Sequence, residues 1–165
     1  MGAAVLLVTA CDASMLGADG EGAEAVAEPE REAAAEPAEV AQPLALAPAI
    51  DGRRDWFGAR SAAMMDILVT ARDERSWRVL WQLVGQDPPG ALPEGAMGLG
   101  VFLAGRPSGG YTVNFREVAL IGGDVVAQIH ETTPPDGAIV TQGITAPYAV
   151  RLVQYHDAPV RFSRL

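Results

Sequence analysis

Trp77, Leu80, Trp81 and Val84 recur at i, i+3, i+4 and i+7, the spacing of one helical face. The spacing predicts a helix that opens in Thr70-Ala71-Arg72-Asp73, with Thr70 as N-cap and an acid three residues on. Asp73 and Glu74 suit the positive end of its dipole, and Gly85 closes it as the C′ residue. Two tryptophans make that face the anchor between the helix and a sheet. Upstream, Met65 to Thr70 reads as a strand. Downstream of a Pro/Gly loop over 86–95 the apolar period falls to two. Met97, Leu99, Val101 and Leu103 alternate with Gly98, Gly100, Phe102 and Ala104, and glycines along one face imply close approach by another element. Tyr111, Val113 and Phe115 alternate with Thr112, Asn114 and Arg116, after which the phase slips at Arg116-Glu117, predicting a β-bulge. Gly122-Gly123 is a tight-hairpin signal, and Val125 to Thr132 returns as the next strand. Pro134-Pro135-Asp136-Gly137 turns, and Ala138 to Gln142 resumes as strand. After Pro147, Tyr148, Val150 and Leu152 share one face with Arg151 on the other. Asp157-Ala158-Pro159 then turns into Val160 to Leu165, where Val160 and Phe162 oppose Arg161 and Arg164. The expected fold class is α+β: a mainly antiparallel sheet, able to fold into two layers, with one amphipathic helix packed against it.

The amino-terminal third has a different texture. Asp12 to Ile50 is dominated by Ala, Glu, Gly and Pro, with nine acids against the single Arg31, a charge of −8. The remainder holds 12 acids and 11 arginines, so nearly all of the formal charge of −9 sits in this stretch. Prolines at 29, 37, 43 and 48 break any long helix, and aromatic residues are absent. Such a segment cannot bury enough surface to offset its ordering entropy, so 12–50 is expected to be a disordered linker. Before it, an apolar run ends in Val8-Thr9-Ala10-Cys11. Small residues ahead of the chain's one cysteine resemble a bacterial lipobox, which divides the chain into a lipoprotein signal peptide over 1–11, the linker over 12–50 and a folded domain over 51–165. Cys11 is then the lipidation site and the membrane is reached through its acyl chains, which places the mature protein at the bacterial cell envelope, facing the periplasm or the surface. Asp12 follows the cysteine directly, a retention signal in some Gram-negative inner membranes.

Chemistry is sparse. The folded part carries no basic stripe to neutralise phosphates, so nucleic acid is not an expected partner. His130 and His156 are the only histidines, and no Cys, Asp or Glu spacing completes a metal site around them. Gly98-x-Gly100 is not followed by a helix, so the dinucleotide fingerprint fails, and no nucleophile elbow surrounds Ser108. The expectation is a protein that is not an enzyme and holds no cofactor or metal. Binding chemistry is instead concentrated in Gly105-Arg106-Pro107-Ser108-Gly109-Gly110-Tyr111, which lies between two strands. Pro107 fixes one backbone angle, Gly109 and Gly110 permit unusual ones, and Arg and Tyr are favoured contact residues. Gln142 to Tyr148 has the same composition, and the two loops form one contact surface if they lie side by side.

With these pieces in place, the carboxy-terminal part resembles the domain of PrcB-type protease complex subunits. The resemblance rests on the helix with Trp77 and Leu80-Trp81, on Gly105 to Val113, on Glu131-Thr132-Thr133-Pro134, and on Val140-Thr141-Gln142-Gly143-Ile144-Thr145-Ala146-Pro147-Tyr148. It spans roughly Met65 to Phe162, with Ala146 where Ser is usual. It implies a non-catalytic envelope lipoprotein that binds a partner protein, such as an exported protease, and assists its assembly or stability. The contact residues expected from the two loops are Arg106, Pro107, Ser108, Gly109, Gly110, Tyr111, Thr145, Pro147 and Tyr148. A second reading makes the same two loops a wedge that inhibits a protease.

Overall fold

The structure is a computed structural model and describes residues 40–165. The 1–11 leader with Cys11, and the linker as far as residue 39, lie outside the described residues. Eight strands and one helix form three layers. The strands are β1 (Gln42–Pro43), β2 (Asp55–Gly58), β3 (Ile67–Ala71), β4 (Ala96–Phe102), β5 (Thr112–Ile121), β6 (Asp124–Thr132), β7 (Tyr148–Gln154) and β8 (Val160–Arg164); the helix is α1 (Glu74–Val84). A central sheet has the order β2-β7-β4-β3 and an outer sheet the order β1-β5-β6-β8. Every neighbouring pair is antiparallel except β6 with β8, which is parallel. The fold is therefore α+β, with antiparallel strands dominating two sheets. The helix is not long and apolar enough to cross a membrane.

The central sheet is buried on both faces, which explains why β4 is buried along its whole length. On one face Trp77, Leu80, Trp81 and Val84 pack with Ala71, Phe102, Tyr148, Val150 and Leu152. On the other, Met97, Leu99, Val101, Ala149 and Val153 meet Val113, Phe115, Val118, Val125, Ala127 and Ile129 of the outer sheet. The glycines of β4 admit the helix. A Cβ on Gly98 would stand 2.6 Å from the Trp77 ring, and one on Gly100 would stand 3.1 Å from Leu80. Trp77 settles into that recess and donates its indole N–H to Gly90 O at 3.0 Å. Trp56 of β2 closes the cluster edge-on to both helix tryptophans.

Several expectations change. The helix is capped by Asp73, whose carboxylate accepts the Ser76 N–H at 2.7 Å while Ser76 Oγ accepts the Asp73 N–H. Thr70 cannot cap, because it is paired with Leu99 in the ladder between β3 and β4. Gly85 does end the helix, at φ 82°. Register slips between Phe115 and Glu117, as the phase of the pattern requires, and Gly122-Gly123 turns the hairpin with both φ positive. Ala138 to Gln142 is not a strand: it crosses the end of the sandwich without a neighbouring edge. Residues 40–50, expected as linker, are attached to the fold. Gln42 and Pro43 pair with β5, Leu46 bridges to Val153, and Ala47 is buried against the helix side of the central sheet. Their apolar residues are short and proline-spaced, so periodicity does not betray them.

Candidate functional site

The strand directions bring three loops to one end of the sandwich: residues 59–66, 103–111 and 133–147. Backbone hydrogen bonds tie them together. Arg106 and Thr145 exchange both N–H···O bonds, at 2.6 and 3.0 Å, and Gly109 N–H donates to Thr141 O at 2.9 Å. Ala146 N–H donates to Ala59 O at 2.9 Å. The two Gly/Pro loops singled out by composition therefore do lie side by side. Gly110 holds φ 86°, and a Cβ there would meet Pro134 at 2.9 Å, so the close approach requires glycine.

The nine proposed contact residues separate into two groups. Pro107 and Gly110 are exposed, and Ser108, Gly109 and Tyr111 are half-buried. Thr145, Pro147 and Tyr148 are buried. Thr145 Oγ1 donates to Ser108 O at 2.8 Å, Pro147 O accepts the Leu103 N–H, and the Tyr148 ring stacks on Phe102 with centroids 6.1 Å apart. Burial pushes the Tyr148 hydroxyl above its ordinary pKa. These three are largely covered and shape the loops from beneath.

Arg106 is also turned inward. Its guanidinium grips both oxygens of Glu131, at 2.7 and 3.1 Å, donates to Ala104 O, and lies 3.8 Å from Asp66. Glu131 raises its pKa further. Asp66 in turn accepts the Ala104 N–H at 2.8 Å and the Arg164 guanidinium at 2.6 Å. The four side chains form an ionic clasp that binds the start of β3 and the loop after β4 to the ends of β6 and β8. The Ala104 N–H, followed by Arg164, holds the Asp66 carboxyl below the usual carboxylate range. A depressed folded pKa stabilises the fold above the unfolded value of about 3.9, and that stabilisation is lost as pH falls through the folded value. Thermal melts taken from pH 6 down to pH 2 should show an acid loss that Asp66→Asn makes shallower, and parallel curves would disprove the coupling.

Three large apolar side chains stand out among the exposed residues of the loop end. Ile144 is 77% exposed, Met64 is 94% exposed, and Ile139 is fully exposed, with Met65 beside Met64. Ile144 borders a shallow hollow of about 390 Å³ lined by Arg60, Ser61, Gly143, Thr145 and Ala146. Sequence reasoning assigned Ile139 and Met65 to strands, over 138–142 and 65–70, and it placed Ile144 in the right loop without singling it out. The signal was available: isolated large apolar residues among Gly, Pro and Thr, without the alternation that would bury them. His130 lies on the outward face of β6 opposite Asn114, and His156 Nδ1 accepts the Ala158 N–H, so the two histidines are not brought together. Among the described residues no group of His, Cys, Asp and Glu is placed to hold a metal.

The fold and this end together define an α+β sandwich domain with exposed apolar residues on two of its loops. Residues 98–152, from β4 through most of β7, match the family model described as PrcB C-terminal. No curated protein and no solved structure matches the chain.

Proposed function

We propose that this chain is a non-catalytic subunit of the bacterial cell envelope, lipid-anchored through Cys11, whose sandwich domain holds a partner protein of a protease complex and assists its assembly or stability. The observation that carries the reading is the exposure of Ile144, Ile139 and Met64 on two loops, 133–147 and 59–66, tied together by the Ala146 N–H on Ala59 O. Exposed apolar side chains on a rigid frame are the features of a contact surface. The match to the PrcB C-terminal family supports the class of partner. The lipobox-like Val8-Thr9-Ala10-Cys11 and the acidic stretch after it support an anchored position, with the stretch acting as a tether.

Two variants test the reading. Cys11→Ser should move the protein from the membrane fraction to the soluble one. Ile144→Glu combined with Ile139→Glu should weaken co-purification of the partner by about tenfold or more while leaving the melting temperature unchanged. Retention of the Cys11→Ser protein on membranes, or undiminished capture by the double variant, would count against it.

A further inference from the structure

The two sheets do not match on one flank. β5 lies across β7: Val113, Phe115, Ala149 and Val153 share the inter-sheet core, and the Arg151 guanidinium sits 5.6 Å from the centre of the Phe115 ring. The place in the outer sheet opposite β2 therefore belongs to β1. That strand fills only its far end, pairing Gln42 with Leu120 and Pro43 with Ala119, and its last contact is the Leu44 N–H on Val118 O at 2.8 Å. The chain then leaves for the central sheet, where Ala45 O accepts the Gln154 N–H and Leu46 bridges to Val153. Among the described residues no strand pairs with Thr112–Glu117 on that side. Beneath the gap lies β2. Phe57 is paired with Ala149, which faces the outer sheet, so Phe57 faces the same way; it is 70% exposed. Asp55, two residues back, is neutralised by Arg151.

We propose that the gap beside Thr112–Glu117 is a strand-acceptor site, and that an extended segment of the partner protein completes the outer sheet there. The stretch is about 20 Å long, enough for a short strand to pair along Thr112–Phe115 up to the bulge at Phe115/Glu117. An apolar side chain on the segment's inward face would cover Phe57. On the outward face, the exposed Arg116 selects a carboxylate. A second copy of this chain is excluded by the layers: joining β5 to β5 across a two-fold axis would put the second β2 beneath β5, where β7 already lies. Residues 12–39 are a poor occupant, with nine acids, no apolar alternation, and an entry through β1 at the opposite end of β5. The occupant is therefore a single extended segment with no second sheet beneath it.

The proposal rests on the partner-binding reading, and the two can fail separately. A heptapeptide alternating Val with Glu or Thr is fused to the C-terminus of the full chain through a Gly/Ser linker of about 20 residues, which keeps it near millimolar local concentration. Amide hydrogen exchange across 112–117 should slow by about tenfold or more relative to a fusion carrying the scrambled heptapeptide. Phe57→Ser and Arg116→Glu should each return most of that protection, with melting temperatures unchanged because both side chains are exposed. Exchange that does not slow, that slows equally with the scramble, or that slows at β3 or β8 instead, overturns the acceptor site. If protection appears as described while native membranes yield no partner, the site stands and the functional reading falls.

Discussion

Trp77→Ala is expected to destabilise the folded unit by about 3–5 kcal/mol, the usual cost of removing a buried indole. Among the described residues Trp77 is the largest side chain that is fully buried. Trp77 is fully buried, its ring stands edge-on to Trp56 and Trp81 at 6.2 and 5.6 Å, and its N–H is satisfied by Gly90 O. Against a typical domain stability of about 5–15 kcal/mol, that loss leaves a marginal protein. Gly98→Ala attacks the same contact from the other side. Its Cβ would stand 2.6 and 2.8 Å from two ring carbons, and overpacking of this kind costs about 1–3 kcal/mol. The double variant should be less destabilised than the sum of the two, because the new methyl enters space that the ring has vacated. Urea unfolding of the four proteins measures the coupling. Strict additivity would mean that the helix and sheet do not meet through this pair.

This contact was also the part of the fold most legible in the sequence. A 3.6-residue stripe with two tryptophans and a two-residue stripe with two glycines describe complementary surfaces, and each requires the other. The bulge at Phe115/Glu117 and the turn at Gly122-Gly123 were readable for the same local reason, a change of phase and a residue that tolerates positive φ. What escaped was decided at long range. Gln42–Pro43 and Asp55–Gly58 are too short to carry a period, and they become strands only because β5 and β7 present edges to them. The parallel pairing of β6 with β8 leaves no mark on either strand. In the candidate site, composition located the right loops and their adjacency, yet it ranked residues by type. Tyr148 is a favoured contact residue by type, whereas its position under the loops makes it a support. Ile139 looked like a strand residue and proves to be surface.

Arg106→Ala should lower the melting temperature by several degrees, which reverses the expectation that follows from treating it as a surface contact. Its side chain is about 20% exposed, and it holds Glu131 at 25% and Asp66 at 34% exposure. Removing the guanidinium leaves two half-buried carboxylates without their shared cation and frees the Ala104 carbonyl. Hydrogen bonds to charged groups contribute about 1.5–3 kcal/mol each, and partial exposure places this clasp toward the lower end. A loss near 1.5 kcal/mol corresponds to about 3–9 °C in a unit of this size. The backbone bonds between Arg106 and Thr145 remain, so the two loops should stay adjacent but move more, and amide exchange at Gly109 should quicken. Arg106→Lys keeps one charge and loses the two-pronged grip on Glu131, so it should fall between wild type and alanine. Ile144→Glu supplies the contrast: it changes only an exposed side chain and should shift stability by no more than about 0.5 kcal/mol. If instead Arg106→Ala melts like wild type while Ile144→Glu unfolds, the clasp is ornamental and the apolar loop residue is part of the core.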